Sequence, residues 1–113
     1  SVPAEYKERK LHVHNASITI MESSADERVA AAKVMVEKLN KATGPTTVFI
    51  PLKGTSMMDN EDMPFYSPDA REAMFDVVRN GVKNENVEIV ELDLHINDPA
   101  FADAMSKRLL AAL

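Results

Sequence analysis

Apolar residues follow two rhythms along this chain. Over Ser17–Met21, Thr46–Ile50 and Val87–Leu94 they come as short runs rich in β-branched residues, the pattern of strands. Behind each run the spacing widens to three or four residues. The first such set is Val29, Ala32, Val36 and Leu39; the second Ala70, Met74, Val77 and Val78; the third Phe101, Met105, Leu109 and Leu110. Each is the stripe of a helix buried along one side. The spacing therefore predicts strands near 17–21, 46–51 and 87–94 and helices near 24–41, 68–80 and 98–112. A short extended piece, Leu11-His12-Val13-His14, precedes the first strand.

Local signals mark the helix ends. Ser24-Ala25-Asp26-Glu27 reads as a capping box, with Ser at the N-cap and Glu three residues on. Gly44-Pro45 should stop the first helix, through a left-handed glycine and then a missing amide. Ser67-Pro68 should open the second helix as N-cap and first residue, and Gly81 should close it. Asp98-Pro99 opens the third.

Strands alternating with helices imply right-handed βαβ crossovers and a parallel sheet. The expected class is α/β: a three-layer αβα arrangement, Rossmann- or flavodoxin-like, built from about three βα units. Three strands make a thin sheet with two unpaired edges, and natural sheets cover their edges. Further N-terminal sequence, or a second copy of the chain, is expected to complete it. The opening Ser1-Val2-Pro3, with no methionine, fits a processed chain or a piece of a longer one.

Composition narrows the function classes. At 113 residues the chain has room for one domain, and 45% hydrophobic with 27% charged residues is a soluble globular balance. Thirteen basic residues against eighteen acidic, a formal charge of -5, argue against a nucleic-acid footprint. With no cysteine, disulfides, thiolate catalysis and Cys-ligated zinc are excluded. No apolar run reaches membrane-spanning length and no signal-peptide pattern opens the chain, so a cytoplasmic address is the expectation.

In open parallel sheets ligands sit beyond the carboxyl ends of the strands. Those ends carry Glu22-Ser23-Ser24, Lys53-Gly54-Thr55-Ser56 and His95-Ile96-Asn97-Asp98, which the expected fold brings to one edge. Lys53, Gly54, Ser56, His95, Asn97 and Asp98 are the candidate ligand-binding residues. Lys53 with the backbone of Gly54 and the hydroxyls of Thr55 and Ser56 suits a phosphate or carboxylate. The spacing is not that of a P-loop, and three glycines cannot build a glycine-rich phosphate cradle. Capping accounts for Ser24 and Asp98 without a ligand, and a turn accounts for Asn97. His95 is the candidate acid or base; a hydrogen bond to a neighbouring carbonyl is its alternative role. Ser56 lacks the second small residue of a nucleophile elbow. His12 and His14 share one strand face, as do Asp93 and His95, but nothing brings the pairs together, so no metal site is assigned. The segment from Leu52 to Tyr66 is long for a connection. Its Met57, Met58, Met63, Phe65 and Tyr66 fit either a binding loop or packing onto neighbours.

Several stretches, "HNASITIMESS", "EKLNKATGPTTVFIPLKGTS", "PFYSPDA" and "HINDPAFADA", resemble the C-terminal domain of an uncharacterised family. It is the Tm-one-like ATP-binding family, named for the tomato mosaic virus resistance protein, and the resemblance runs from about Val2 to the end. It implies that residues 1–113 are a single α/β domain, the C-terminal one of a longer two-domain protein. It carries over His14, Asn15, Lys53, Gly54, Ser56, His95, Asn97, Asp98 and Pro99 as motif positions, with no established catalytic assignment. The ATP-binding label belongs to the N-terminal domain, so no cofactor is expected in this chain and ATP only in that other domain. The family pattern has Arg-Thr-Thr where this chain has Glu22-Ser23-Ser24, which puts an anion contact from that loop in doubt.

Two functions follow as expectations. One is a small-molecule site for an anionic ligand, shared with the nucleotide-binding N-terminal domain of the same protein; whether it is enzymatic stays open. The other is a structural, oligomerisation or protein-interaction domain without catalytic residues. The expected partners are that N-terminal domain, a small anion and further copies in a homo-oligomer, with no nucleic acid and no membrane.

Overall fold

The structure, a computed structural model, describes residues 2–113. After a 3-10 turn at Ala4–Tyr6 the order is β1 (Leu11–Val13), β2 (Thr19–Met21), α1 (Ala25–Asn40), β3 (Thr46–Pro51), α2 (Pro68–Gly81), β4 (Val87–Leu92) and α3 (Pro99–Ala112). The fold is mixed α/β, with three helices and short strands. Among the described residues no helix is long and apolar enough to cross a membrane.

β3 and β4 pair in parallel, from Thr46 opposite Val87 to Pro51 opposite Leu92. The expected third parallel strand is not there. β2 instead pairs antiparallel with β1, Leu11 opposite Met21. The physical reason is local. Asn15 Oδ1 accepts from the Ser17 and Ile18 amides at 2.8 and 2.9 Å, and His14 N–H donates to Ile18 O at 2.9 Å. That turn folds the extended piece Leu11–Val13 back on β2, a short-range pairing that closes with little loop entropy.

The core lies between β3, β4 and the α1–α2 pair. Ala32, Ile50, Phe75 and Val78 are buried together, with Val36, Val48 and Ile89 packed against them. Period-two alternation turns Phe49 the other way, where its ring meets Phe101 of α3 edge-on, centroids 6.1 Å apart. Phe101 is 2% exposed, but the rest of the expected α3 stripe is not buried: Met105, Leu109 and Leu110 are 40%, 64% and 69% exposed.

The helix ends confirm four local signals and correct one. Ser24 and Glu27 form the capping box, and Asp98 Oδ1 accepts from Ala100 N–H at 2.9 Å. Ser67 and Pro68 hold the N-cap and first position of α2, although the Ser67 hydroxyl caps nothing. Gly44 is not in the left-handed region. α1 ends at Asn40, within a residue of the expected end, and Asn84 Nδ2 serves the carbonyls there, donating to Leu39 O at 3.0 Å and Ala42 O at 2.8 Å. Gly81 closes α2 as its last residue, as expected, and it is placed where a Cβ would sit 2.8 Å from Val36 Cγ1.

Candidate functional site

Parallel register continues past the ends of β3 and β4. Lys53 N–H donates to Leu94 O at 3.1 Å, Gly54 bridges His95, and Ile96 N–H donates to Gly54 O at 3.0 Å. Two of the sequence clusters, Lys53–Ser56 and His95–Asp98, therefore stand side by side at the carboxyl edge. Gly54 makes this approach possible. Its φ is +147°, and a Cβ there would lie 2.2 Å from Asp59 O and 2.5 Å from the His95 ring.

His95 is held by backbone on both sides. Its Nδ1 accepts from Asn97 N–H at 3.1 Å, which places the proton on Nε2, and Nε2–H then donates to Ser56 O at 2.9 Å. The ring thus links the start of α3 to the loop after β3. Ser56 Oγ accepts from Met58 N–H at 3.1 Å. Asp98 caps α3, and Asn97 is exposed beside it.

The long 52–66 segment owes its shape to a pair that its local sequence does not announce. Asp59 and Arg71 are 3% and 5% exposed. Asp59 Oδ1 accepts from Arg71 Nη1 at 2.8 Å and from Ser67 N–H at 3.3 Å. Its Oδ2 accepts from Thr55 N–H at 3.2 Å and the Thr55 hydroxyl at 3.3 Å. One buried carboxylate so ties the exit of β3, the loop and the first turn of α2. A buried ion pair holds only when its remaining valences are satisfied. Asp59 meets that condition, whereas Arg71 Nε has no partner among the described residues. Of the loop's contact residues, Met58 and Phe65 are buried, while Met57 and Tyr66 are exposed.

Two cavities flank this loop. One, of about 520 Å³, opens between the residues after β2 and the loop; Met21, Ser23, Arg28, Ser56, Met58 and Phe65 are among its walls. Glu22 also lines it and is paired with Arg28 at 3.5 Å. The loop after β2 accordingly offers a neutralised ion pair. The other cavity, of about 280 Å³, is lined by Leu52, Lys53, Asn60, Glu61, Tyr66 and Arg71. Lys53 and Ser56 thus face different cavities, and His95, Asn97 and Asp98 line neither. His12 and His14 lie with ring centroids 6.3 Å apart. Among the described residues no group of three or more His, Asp or Glu is placed to hold a metal ion.

Sequence reasoning missed Asp59, Arg71 and Asn84. All three act across long sequence separations, and only a buried charge pair seen in three dimensions reveals the first two.

The sequence model of an uncharacterised protein family, UPF0261 C-terminal domain, matches residues 1–113. A UPF0261 protein of Clostridium tetani is 43% identical over 110 residues, covering 97% of this chain and 27% of the relative. A UPF0261 protein of Rhizobium meliloti is 37% identical over 105 residues, covering 92% of this chain and 26% of the relative. The ToMV resistance protein Tm-1 of Solanum lycopersicum is 34% identical over 106 residues, covering 93% of this chain and 14% of the relative. The chain spans about a quarter or less of the length of these curated relatives.

Proposed function

Because the chain belongs to the UPF0261 family, as one of its C-terminal domains, we propose that it forms one wall of a small-molecule site for an anionic ligand. The site lies at the carboxyl edge of β3 and β4 and closes against the N-terminal part of the longer family protein. In that setting the parallel strands belong to a larger three-layer sheet. Lys53 supplies the charge, and the Gly54–His95 contact fixes the loop that carries it. His95 positions the loop, since both ring nitrogens are engaged by backbone, Nδ1 with Asn97 N–H and Nε2 with Ser56 O. The single observation that carries the reading is the register past the strand ends, which sets Lys53 and His95 side by side where open α/β sheets hold ligands.

The test is a thermal-shift screen of small anions on the intact family protein. A stabilising anion whose effect is lost in Lys53→Ala and weakened in His95→Ala is the expected result. A stabilising anion that ignores both substitutions removes the reading.

A second reading has its own observation. α3 leaves Met105, Leu109 and Leu110 exposed, and contiguous exposed apolar surface of this kind marks interaction sites. The relatives carry roughly three quarters or more of their length outside the matched region, and that chain is the occupant this reading assigns. Leu109→Ser with Leu110→Ser would then loosen the intact protein, measured as a faster proteolytic cut between its parts, and leave anion binding unchanged.

A further inference from the structure

Arg71 has a hydrogen-bonding edge that the fold does not use. Its Nη1 goes to Asp59, and its guanidinium carbon lies 5.6 Å from the Tyr66 ring centroid. Its Nε is buried and has no partner among the described residues. Asp59 cannot serve it, because the second Asp59 oxygen already accepts from Thr55 N–H and the Thr55 hydroxyl. Native buried donors are almost always paired, and an orphan calls for a water, an ion or a ligand.

A guanidinium presents two forks to an anion, one end-on and one side-on through Nε and a neighbouring Nη. Nη1 is taken by Asp59, and Nε on the side-on edge, sealed from solvent in this structure, is the donor left without a partner among the described residues. Arg71 lines the cavity of about 280 Å³, and Lys53 lines it too. We propose that this cavity takes the carboxylate of a small organic acid, gripped side-on by Arg71 and neutralised by Lys53. Two parallel N–H donors match the spacing of two carboxylate oxygens. A phosphate dianion fits less well, since Glu61 lines the cavity and Asp59 touches Arg71. The inference rests on the anionic-ligand reading of Lys53. It adds the anchoring residue and the chemical class.

The test uses the whole chain labelled with 15N-arginine. It holds five arginines, so the Nε–H resonance of Arg71 is assigned by its loss in Arg71→Lys. Acetate and succinate are titrated against inorganic phosphate and chloride at matched ionic strength. A saturable shift of the Arg71 resonance with the carboxylates is expected. Arg71→Lys keeps a cation beside Asp59 and Tyr66 but lacks Nε, and should weaken the carboxylate by about tenfold or more. Lys53→Met, an exposed change that spares the fold, should weaken it several-fold; with the resonance shift it decides the matter if Arg71→Lys does not fold. Carboxylate binding that leaves the Arg71 resonance in place, yet is lost in Lys53→Met, overturns this inference and leaves the Lys53 reading standing. Phosphate binding tighter than either carboxylate overturns the ligand class. No saturable binding of any of these anions overturns the inference, while the Lys53 reading is decided on the intact family protein.

Discussion

Gly54 is the residue with the least freedom to change. Its φ of +147° is one that side chains rarely adopt, and its missing Cβ leaves room for the Asp59 carbonyl and the His95 ring. Gly54→Ala should cost about 3 kcal/mol in urea unfolding, from backbone strain together with overpacking. A cost near zero would mean that the His95 contact is not made. Glu27 gives a prediction of a different kind. Its carboxyl accepts from the Ser24 backbone amide and from Arg9, which hold its pKa below the usual glutamate value, the backbone bond foremost. A depressed folded-state pKa stabilises above the unfolded value, and that stability is lost as pH falls through the folded one. A carbon-detected titration should therefore find Glu27 protonating at lower pH than an unpaired glutamate, and Arg9→Ala should raise its midpoint. At this scale the sequence was partly legible. Gly54, Lys53 and His95 announced themselves by type and by position after strands. Asp59 and Arg71 did not, because a charged residue in a polar loop and another on a helix look solvated until the loop folds over them.

Helices were the most legible elements, because their signals are local. Ser24 with Glu27, Ser67 with Pro68, and Asp98 with Pro99 each fixed a start within a residue. Asp98→Ala should cost about 1 kcal/mol, the usual loss of an N-cap acceptor, read from chemical unfolding. The means by which α1 stops and the strand partners depend on distant residues and were misread, although the helix ends themselves fell within a residue of expectation. Asn84 caps α1 from the far side of α2, and β2 found its partner behind it rather than ahead. Gly81 shows how an element-level contact hides in a familiar signal. Alanine there would gain about 1 kcal/mol of helix propensity. The new Cβ would meet Val36 Cγ1 at 2.8 Å, and a β-branched side chain cannot swing away. Overpacking of this kind costs about 1–3 kcal/mol, so Gly81→Ala should be net destabilising. In a Val36→Ala background the clash is gone and the same change should turn stabilising. A double-mutant cycle with no coupling between the two positions would refute the close crossing of α1 and α2.

On the scale of the whole molecule, the chain is elongated. Its radius of gyration is 16.1 Å, against about 13 Å for a compact domain of some hundred residues. A two-stranded parallel sheet and an α3 held mainly through Phe101 explain the excess. The α/β character was legible because the period of the apolar pattern changes cleanly between elements; the sheet's width was not, because pairing is non-local. The same view bears on nucleotide binding. A polyphosphate needs open backbone amides at a helix N-terminus, a glycine-rich turn or clustered cations. The N-terminus of α1 is filled by its own Ser24–Glu27 capping box, that of α3 by Asp98, and the amide of Ser67 at the start of α2 by Asp59. Three glycines stand apart at Gly44, Gly54 and Gly81, and the formal charge is -5. Each helix start already holds a carboxylate where a phosphate would go, so a nucleotide would have to displace an internal bond before making its own. Calorimetric titration of residues 1–113 with Mg-ATP should accordingly give no saturable binding in the micromolar range. Saturable micromolar binding would mean that one of these caps opens, and amide resonances at Glu27, Ser67 and Ala100 would identify which.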